Sequence, residues 1–268
     1  MRRRAVLCGL AALALPLRAQ TREVLPRADY ARFLHGQAVS FLYIEGAGER
    51  IAVLEGSDLA GRVRPYSTFK IPNTLIALEE GVATGPDHVR PWDARAHPRE
   101  RFWPPVWAQD HDLASAFRNS VVWYYREIAR EVSAESYAAR LTDWRYGNAD
   151  PGRGNDRFWL DGTLQISVAE QVAFLSALAA RALPGVEGES YAVLDAISRD
   201  GEIGGEVLHG KTGAGRMGRM GGWGGWYVGW IGGPRRAAFA LYAEAERFRE
   251  IDELRRGLAV EMVERLRG

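Results

Sequence analysis

Ser67 and Lys70 stand three residues apart in the run Ser67, Thr68, Phe69, Lys70, Ile71, Pro72, Asn73. If a helix begins near Ser67, that spacing stacks the hydroxyl and the amine on one face, within hydrogen-bond reach, as a nucleophile beside a base. A Ser-x-x-Lys match recurs by chance in chains of this length, so composition has to weigh in. Lys and Arg together number 35, yet only Lys70 and Lys211 are lysines. Arginine keeps its proton inside a protein, whereas a desolvated lysine becomes a neutral base, so a chain built almost wholly with arginine keeps lysine where arginine would fail. The second lysine opens Lys211, Thr212, Gly213, the second element of a serine acyl-transfer signature.

The elements that must hold these residues follow from periodicity. Runs at 38–44 and 50–54 flank the turn-rich Glu45, Gly46, Ala47, Gly48, Glu49 and predict a hairpin. Residues 70–80 predict a helix with Leu75, Ile76 and Leu78 at helical spacing, ended by Gly81, with Pro72 in the first turn where its missing N–H matters least. Residues 84–110, rich in Pro, Trp and charge, read as loop. Helices are expected at 113–117, 121–132, 134–141 and 168–180. Strands return at 206–209, 225–231 and 237–243, and 249–266 predicts an amphipathic closing helix carrying Ile251, Leu254, Leu258, Val260, Met262, Val263 and Leu266. No internal repeat or domain linker interrupts this order of strand, helical insertion and strand.

The chain has 268 residues, 47% hydrophobic and 26% charged, as expected of a globular protein with a sizeable core. Residues 1–20 differ: Arg2, Arg3 and Arg4 precede an apolar run at 5–17 too short to span a bilayer comfortably, and Ala19 offers a small residue for cleavage. This reads as a secretory signal, although Leu17 fits the small-residue rule poorly, so the cut could shift by a residue or two; an uncleaved anchor is the alternative. No later segment is apolar enough to span a membrane, so a periplasmic protein without stable membrane insertion is expected. The single cysteine, Cys8, lies inside the leader, leaving the mature chain neither a disulfide nor a thiol nucleophile. Losing Arg2, Arg3, Arg4 and Arg18 takes the formal charge from +1 to −3, which gives no sign of nucleic-acid binding. His35, His88, His97, His111 and His209 show no ligand spacing, and no metal is expected.

With both lysines placed, the remaining pieces resemble the class D serine β-lactamases over nearly the whole mature chain and in that family's order. Ser67 to Asn73 resembles its S-T-F-K-I-P-N block; Ser120, Val121, Val122 its S-x-V element; and Tyr146, Gly147, Asn148 its Y-G-N box. Phe158, Trp159, Leu160, followed by Ile166, Ser167 and Gln171, resemble its F-W-L stretch and next helix. Lys211 to Gly213 resembles its K-T-G strand, and Trp226, Tyr227, Val228, Gly229, Trp230 the aromatic strand beside it. Related penicillin-recognising classes carry Asn where this chain has Val122.

The resemblance implies an α+β fold: an antiparallel sheet flanked by N- and C-terminal helices, plus an inserted all-helical lobe. One domain, 21–268, would comprise a sheet lobe (21–62 with 203–268) and a helical lobe (63–202). It further implies that Ser67 attacks the lactam carbonyl and that Lys70, N-carboxylated by CO2, is the general base, among Phe69, Val122, Trp159 and Leu160, with the Trp159 indole N–H donating to the carbamate. Burial lowers the pKa of Lys70, and only the free amine adds CO2. The Ser67 and Ala214 N–H groups would stabilise the oxyanion. Ser120 would shuttle a proton to the lactam nitrogen with Lys211 adding positive charge, and Val122, Thr212 and Gly213 would line the substrate. Arg255, after Leu254, would anchor the substrate carboxylate, with Arg256 the rival. Tyr146, Gly147 and Asn148 are expected to form a turn bordering the site. Three other readings stay open: a penicillin-responsive sensor that acylates without efficient turnover, a D,D-peptidase, disfavoured by Val122 and Trp159, and a relative with negligible activity. The glycine- and methionine-rich stretch at 216–225 has no assignment at this level.

Overall fold

The computed structural model describes residues 21–153, 156–218 and 221–268. The leader read at 1–20, with its Cys8, and Met220 of the glycine-rich stretch lie outside the described residues.

In chain order the elements are β1 (Thr21–Leu25), α1 (Ala31–Leu34), β2 (Ala38–Glu45), β3 (Arg50–Leu54), α2 (Lys70–Glu79), α3 (Leu113–Arg118), α4 (Val122–Glu131), α5 (Ala134–Asp143), α6 (Phe158–Asp161), α7 (Val168–Ala179), α8 (Gly188–Ser198), β4 (Arg199–Ile203), β5 (Glu206–Arg216), β6 (Trp223–Ile231), β7 (Ala237–Ala245) and α9 (Phe248–Arg267). The strands form one sheet in the order β1-β3-β2-β7-β6-β5-β4. The expected hairpin is β2 and β3, and the loop at 84–110 holds only a short 3-10 turn at Pro105–Trp107.

Three differences from the periodicity have physical reasons. The sheet is mixed rather than purely antiparallel, because β1 pairs parallel with β3 from Thr21 opposite Arg50 to Leu25 opposite Leu54. Strand β5 runs on to Arg216, past the expected end at His209, since its glycines pair with β6 although they carry no β pattern. Helices α1, α6 and α8 and strands β1 and β4 are not expected from periodicity: α1 and α6 have a single turn, and α8 opens on a glycine without a side-chain cap.

Alternation across the strands sorts the core into two layers. Phe41, Tyr43, Tyr227, Phe239 and Leu241 meet Leu254, Leu258, Met262 and Leu266 of α9, which recur every four residues. Leu42, Trp226, Val228, Trp230, Ala240 and Tyr242 face the opposite way, onto α7 and the helical region. Helix α2 lies inside that second layer and is buried from Lys70 to Ala77, so it is enclosed almost all round, its polar Asn73 and Thr74 included. Helix α7 starts on a capping box in which the Ser167 hydroxyl accepts from Glu170 N–H and the Glu170 carboxylate from Ser167 N–H, a device contributing about 1 kcal/mol.

Candidate active site

Ser67 lies on a 3-10 turn, Tyr66–Phe69, that runs directly into α2. The turn brings Lys70 Nζ to 2.9 Å from Ser67 Oγ. The turn is pinned from outside: Thr68 Oγ1 donates to Pro65 O at 2.7 Å and accepts from Gln171 Nε2 of α7 at 2.9 Å. Deeper along α2, Thr74 Oγ1 pairs with Tyr125 OH at 2.9 Å, and Tyr137 OH donates to Asn73 Oδ1 at 2.6 Å.

Lys70 is fully buried and, among the described residues, forms no ion pair. Burial first, and the neighbouring Lys211 charge second, push its pKa well below the ordinary lysine value. Its Nζ sits 5.2 Å above the Tyr125 ring. The Phe69 ring stacks on Trp159 at 5.4 Å and 24° and touches Phe158 and Tyr146 edge-on. Trp159 Nε1 is buried and, among the described residues, has no hydrogen-bond partner. Leaving such a donor unpaired costs about 1–3 kcal/mol. A buried amine with a lowered pKa and no counter-ion among the described residues, together with an orphaned indole N–H one ring away through Phe69, fits a carboxylated Lys70.

The Tyr146 to Asn148 turn does border the site, as a brace. Asn148 Nδ2 donates to Thr163 O at 2.7 Å and its Oδ1 accepts from Gln165 N–H at 2.9 Å, fixing the segment that follows α6 and Trp159.

Ser120 ends the turn between α3 and α4 with φ at 58°, a left-handed conformation costing a side-chain-bearing residue on the order of 1 kcal/mol. The long loop holds it there: Trp107 Nε1 donates to Asn119 O at 2.8 Å, and Trp123 Nε1 to Trp107 O at 2.7 Å. Lys211, Gly213 and Gly215 share the face of β5 turned toward the nucleophile turn. Lys211 Nζ donates to Ser120 Oγ at 3.1 Å and to Thr212 O at 3.0 Å. Burial, then the Arg255 charge, push the Lys211 pKa down to about 7, against a smaller opposing pull from Asp200. Strand β4 pairs with β5 only as far as His209, so Gly210 to Arg216 keep an edge with no strand partner among the described residues, onto which an extended ligand can add.

Of the two rival arginines, Arg255 reaches this strand. Its guanidinium donates to Gly213 O at 3.1 Å and to Asp252 Oδ1 at 2.6 Å. Arg256 turns away and donates to Asp200 Oδ2 at 2.8 Å and to Asp200 O at 2.7 Å. Thus the structure forms two hydrogen-bonded pairs, Lys70 with Ser67 and Lys211 with Ser120, and places Lys211 near enough for its charge to act on Lys70. Arg255 and Gly213 join through β5, and Trp159 joins through Phe69. Val122, the first residue of α4, is partly exposed two residues past Ser120; Thr212 and Ala214 are partly exposed on the free stretch of β5. The braces Gln171, Tyr125 and Trp107 carry no role in sequence reasoning, because each acts through a contact more than ten residues away in the chain.

The penicillin binding protein transpeptidase domain profile matches residues 19–250. β-Lactamase OXA-2 of Salmonella typhimurium is 34% identical over 243 residues, 88% of this chain and 82% of that protein. The solved class D β-lactamase of Sebaldella termitidis superposes with a TM-score of 0.79 at 26% identity, covering 91% of this chain and 96% of that one. The C-terminal domain of the Bacillus licheniformis BlaR penicillin-receptor superposes with a TM-score of 0.76 at 25% identity, covering 90% and 94%. Motifs, sheet order and these likenesses agree: the chain belongs to the class D β-lactamases of the penicillin-binding transpeptidase fold and is a β-lactam hydrolase.

Proposed function

We propose that the chain opens β-lactams through an acyl-enzyme on Ser67, with N-carboxylated Lys70 as the base. The observation that carries this reading is the fully buried Lys70 amine, 2.9 Å from Ser67 Oγ and without a counter-ion among the described residues. Desolvation favours the neutral amine, the form able to add CO2 with loss of a proton. When present, the carboxyl group supplies a base for the Ser67 proton in acylation and for water in deacylation. The Trp159 indole N–H and the rings of Phe69 and Tyr125 would enclose it.

Ser67 attacks the lactam carbonyl, and the N–H groups of Ser67 and Ala214 stabilise the oxyanion. As its bond to the acyl carbon breaks, the lactam nitrogen takes the Ser120 hydroxyl proton, and Ser120 recovers a proton from the Lys211 ammonium. A lysine poised near pH 7 is well matched to that task. Val122 lines the cleft beside Ser120, Thr212 and Gly213 present the edge of β5, and Arg255 supplies the charge for the substrate carboxylate. Residues 1–20 act as the export leader to the periplasm, and 21–268 as one catalytic unit of two lobes.

Similarity to the BlaR penicillin-receptor favours one rival, a sensor that acylates and stalls. Purified 21–268 should turn over a chromogenic cephalosporin while intact-mass spectra show a transient adduct, and Ser67→Ala should show neither. A stoichiometric adduct that persists without turnover would favour the sensor.

A further inference from the structure

The glycine-rich stretch and one tyrosine form a feature that the chemistry above leaves unused. Tyr66, immediately before Ser67, has φ at 49° although it carries a large aromatic side chain, an uncommon conformation that costs free energy. Surroundings that hold it there must offset that strain. Its ring is buried against Gly215 of β5, where any Cβ would overlap the ring carbons. Its hydroxyl donates to Arg216 O at 3.2 Å, and Arg64 NH1 donates to the same carbonyl at 3.2 Å. Gly224, paired with Gly215 across β5 and β6, likewise leaves room for the Tyr242 hydroxyl. Gly213 lets the strand backbone approach the turn so closely that a Cβ would lie 2.9 Å from Ser67 N, Thr68 N and Pro65 O. The missing side chain at Gly215 therefore leaves the space in which the ring of the residue before the nucleophile is seated.

We infer that Tyr66 is a positioning residue: seated over Gly215, it fixes the Ser67 turn against β5, so that the Ser67 and Ala214 N–H groups stay aimed at one oxyanion position. This rests on the acyl-enzyme reading of Ser67. Tyr66 touches no reacting atom. Loosening it should weaken oxyanion stabilisation, which serves both acylation and deacylation, while leaving initial non-covalent binding nearly intact.

The test uses Tyr66→Phe, Tyr66→Ala, Tyr66→Gly, Gly215→Ala and the double variant Tyr66→Ala with Gly215→Ala. The readouts are pre-steady-state acylation and deacylation by benzylpenicillin, affinity for an acylaminomethyl boronic acid, and melting temperature. Tyr66→Phe keeps the ring and should stay within about threefold of the parent. Tyr66→Ala should lose about tenfold or more in both chemical steps, with a parallel loss of boronate affinity. Tyr66→Gly removes the backbone strain but not the missing ring, so it should melt higher than Tyr66→Ala and remain equally slow. Gly215→Ala should slow both steps by displacing the ring, and the double variant should be no slower than Tyr66→Ala alone, since the two act through one contact. Parental rates in Tyr66→Gly, or strictly additive losses in the double variant, would overturn the inference. If Tyr66→Ala does not fold, the Gly215→Ala kinetics decide alone. Acylation persisting in Ser67→Ala would instead sink the reading on which this one rests.

Discussion

Removing the Lys211 amine should stabilise the protein at neutral pH and destabilise it in alkali. The sign follows from linkage. Burial lowers the folded-state pKa to about 7, against the ordinary lysine value of 10.5. Between those values the unfolded chain holds more protons than the native one, so stability rises with pH across that window, and the full penalty is present below it. The shift corresponds to about 5 kcal/mol. Lys211→Met keeps the length and apolar stem but forfeits the hydrogen bonds to Ser120 and Thr212, at about 1 kcal/mol each. The net effect is a gain of about 2–3 kcal/mol at pH 6 that reaches zero near about pH 9 and changes sign above it. Urea unfolding of parent and variant in CO2-depleted buffer at pH 6 and pH 9.5 measures this. Added bicarbonate should shrink the gain, because an anion on Lys70 would favour the Lys211 cation. Equal destabilisation of Lys211→Met at both pH values would refute the claim that Lys211 is held at the expense of stability.

Gly213→Ala should fold less well by about 1–3 kcal/mol, since its Cβ would meet only backbone atoms that cannot swing away, and acylation should fall with it; parental acylation would show that the strand has room to retreat. Trp159→Phe keeps an aromatic ring, though a smaller one, and removes the orphaned N–H, so deacylation should slow more than acylation, with partial rescue by bicarbonate, whereas equal slowing of both would place Trp159 in general packing. Arg255→Ala should lower kcat/KM by about 2 kcal/mol more for a penicillin than for its neutral ester, with Arg256→Ala nearly silent in that comparison; equal losses on both substrates would remove Arg255 as the carboxylate anchor.

How much was legible in the sequence depended on the range of the forces involved. Helix α9 announces itself through a period of 3.6 because it buries one face, and α2, β2, β3, β6 and β7 as short largely apolar runs bounded by turn residues. The Ser67 and Lys70 pair was readable because its geometry is local, and the scarcity of lysine pointed to Lys211. Strand β5 was cut short because Gly210, Gly213 and Gly215 have no side chains to show alternation; their purpose is what approaches them from elsewhere. Similarly, β1 adds in parallel at the sheet edge through a register that no local pattern encodes. The left-handed Tyr66 and Ser120 are invisible in sequence, since neither is a residue type that favours positive φ. That Arg255 reaches Gly213 while Arg256 binds Asp200 is a tertiary fact that no local pattern encodes.

The central claim is that a carboxylated Lys70 drives both halves of the reaction, and carbon NMR of protein equilibrated with labelled bicarbonate tests it most directly. One carbamate resonance is expected, absent in Lys70→Ala, present in Lys211→Ala, and lost in step with activity as pH is lowered. A fully active enzyme with no such resonance would contradict the account and return the base role to the free Lys70 amine.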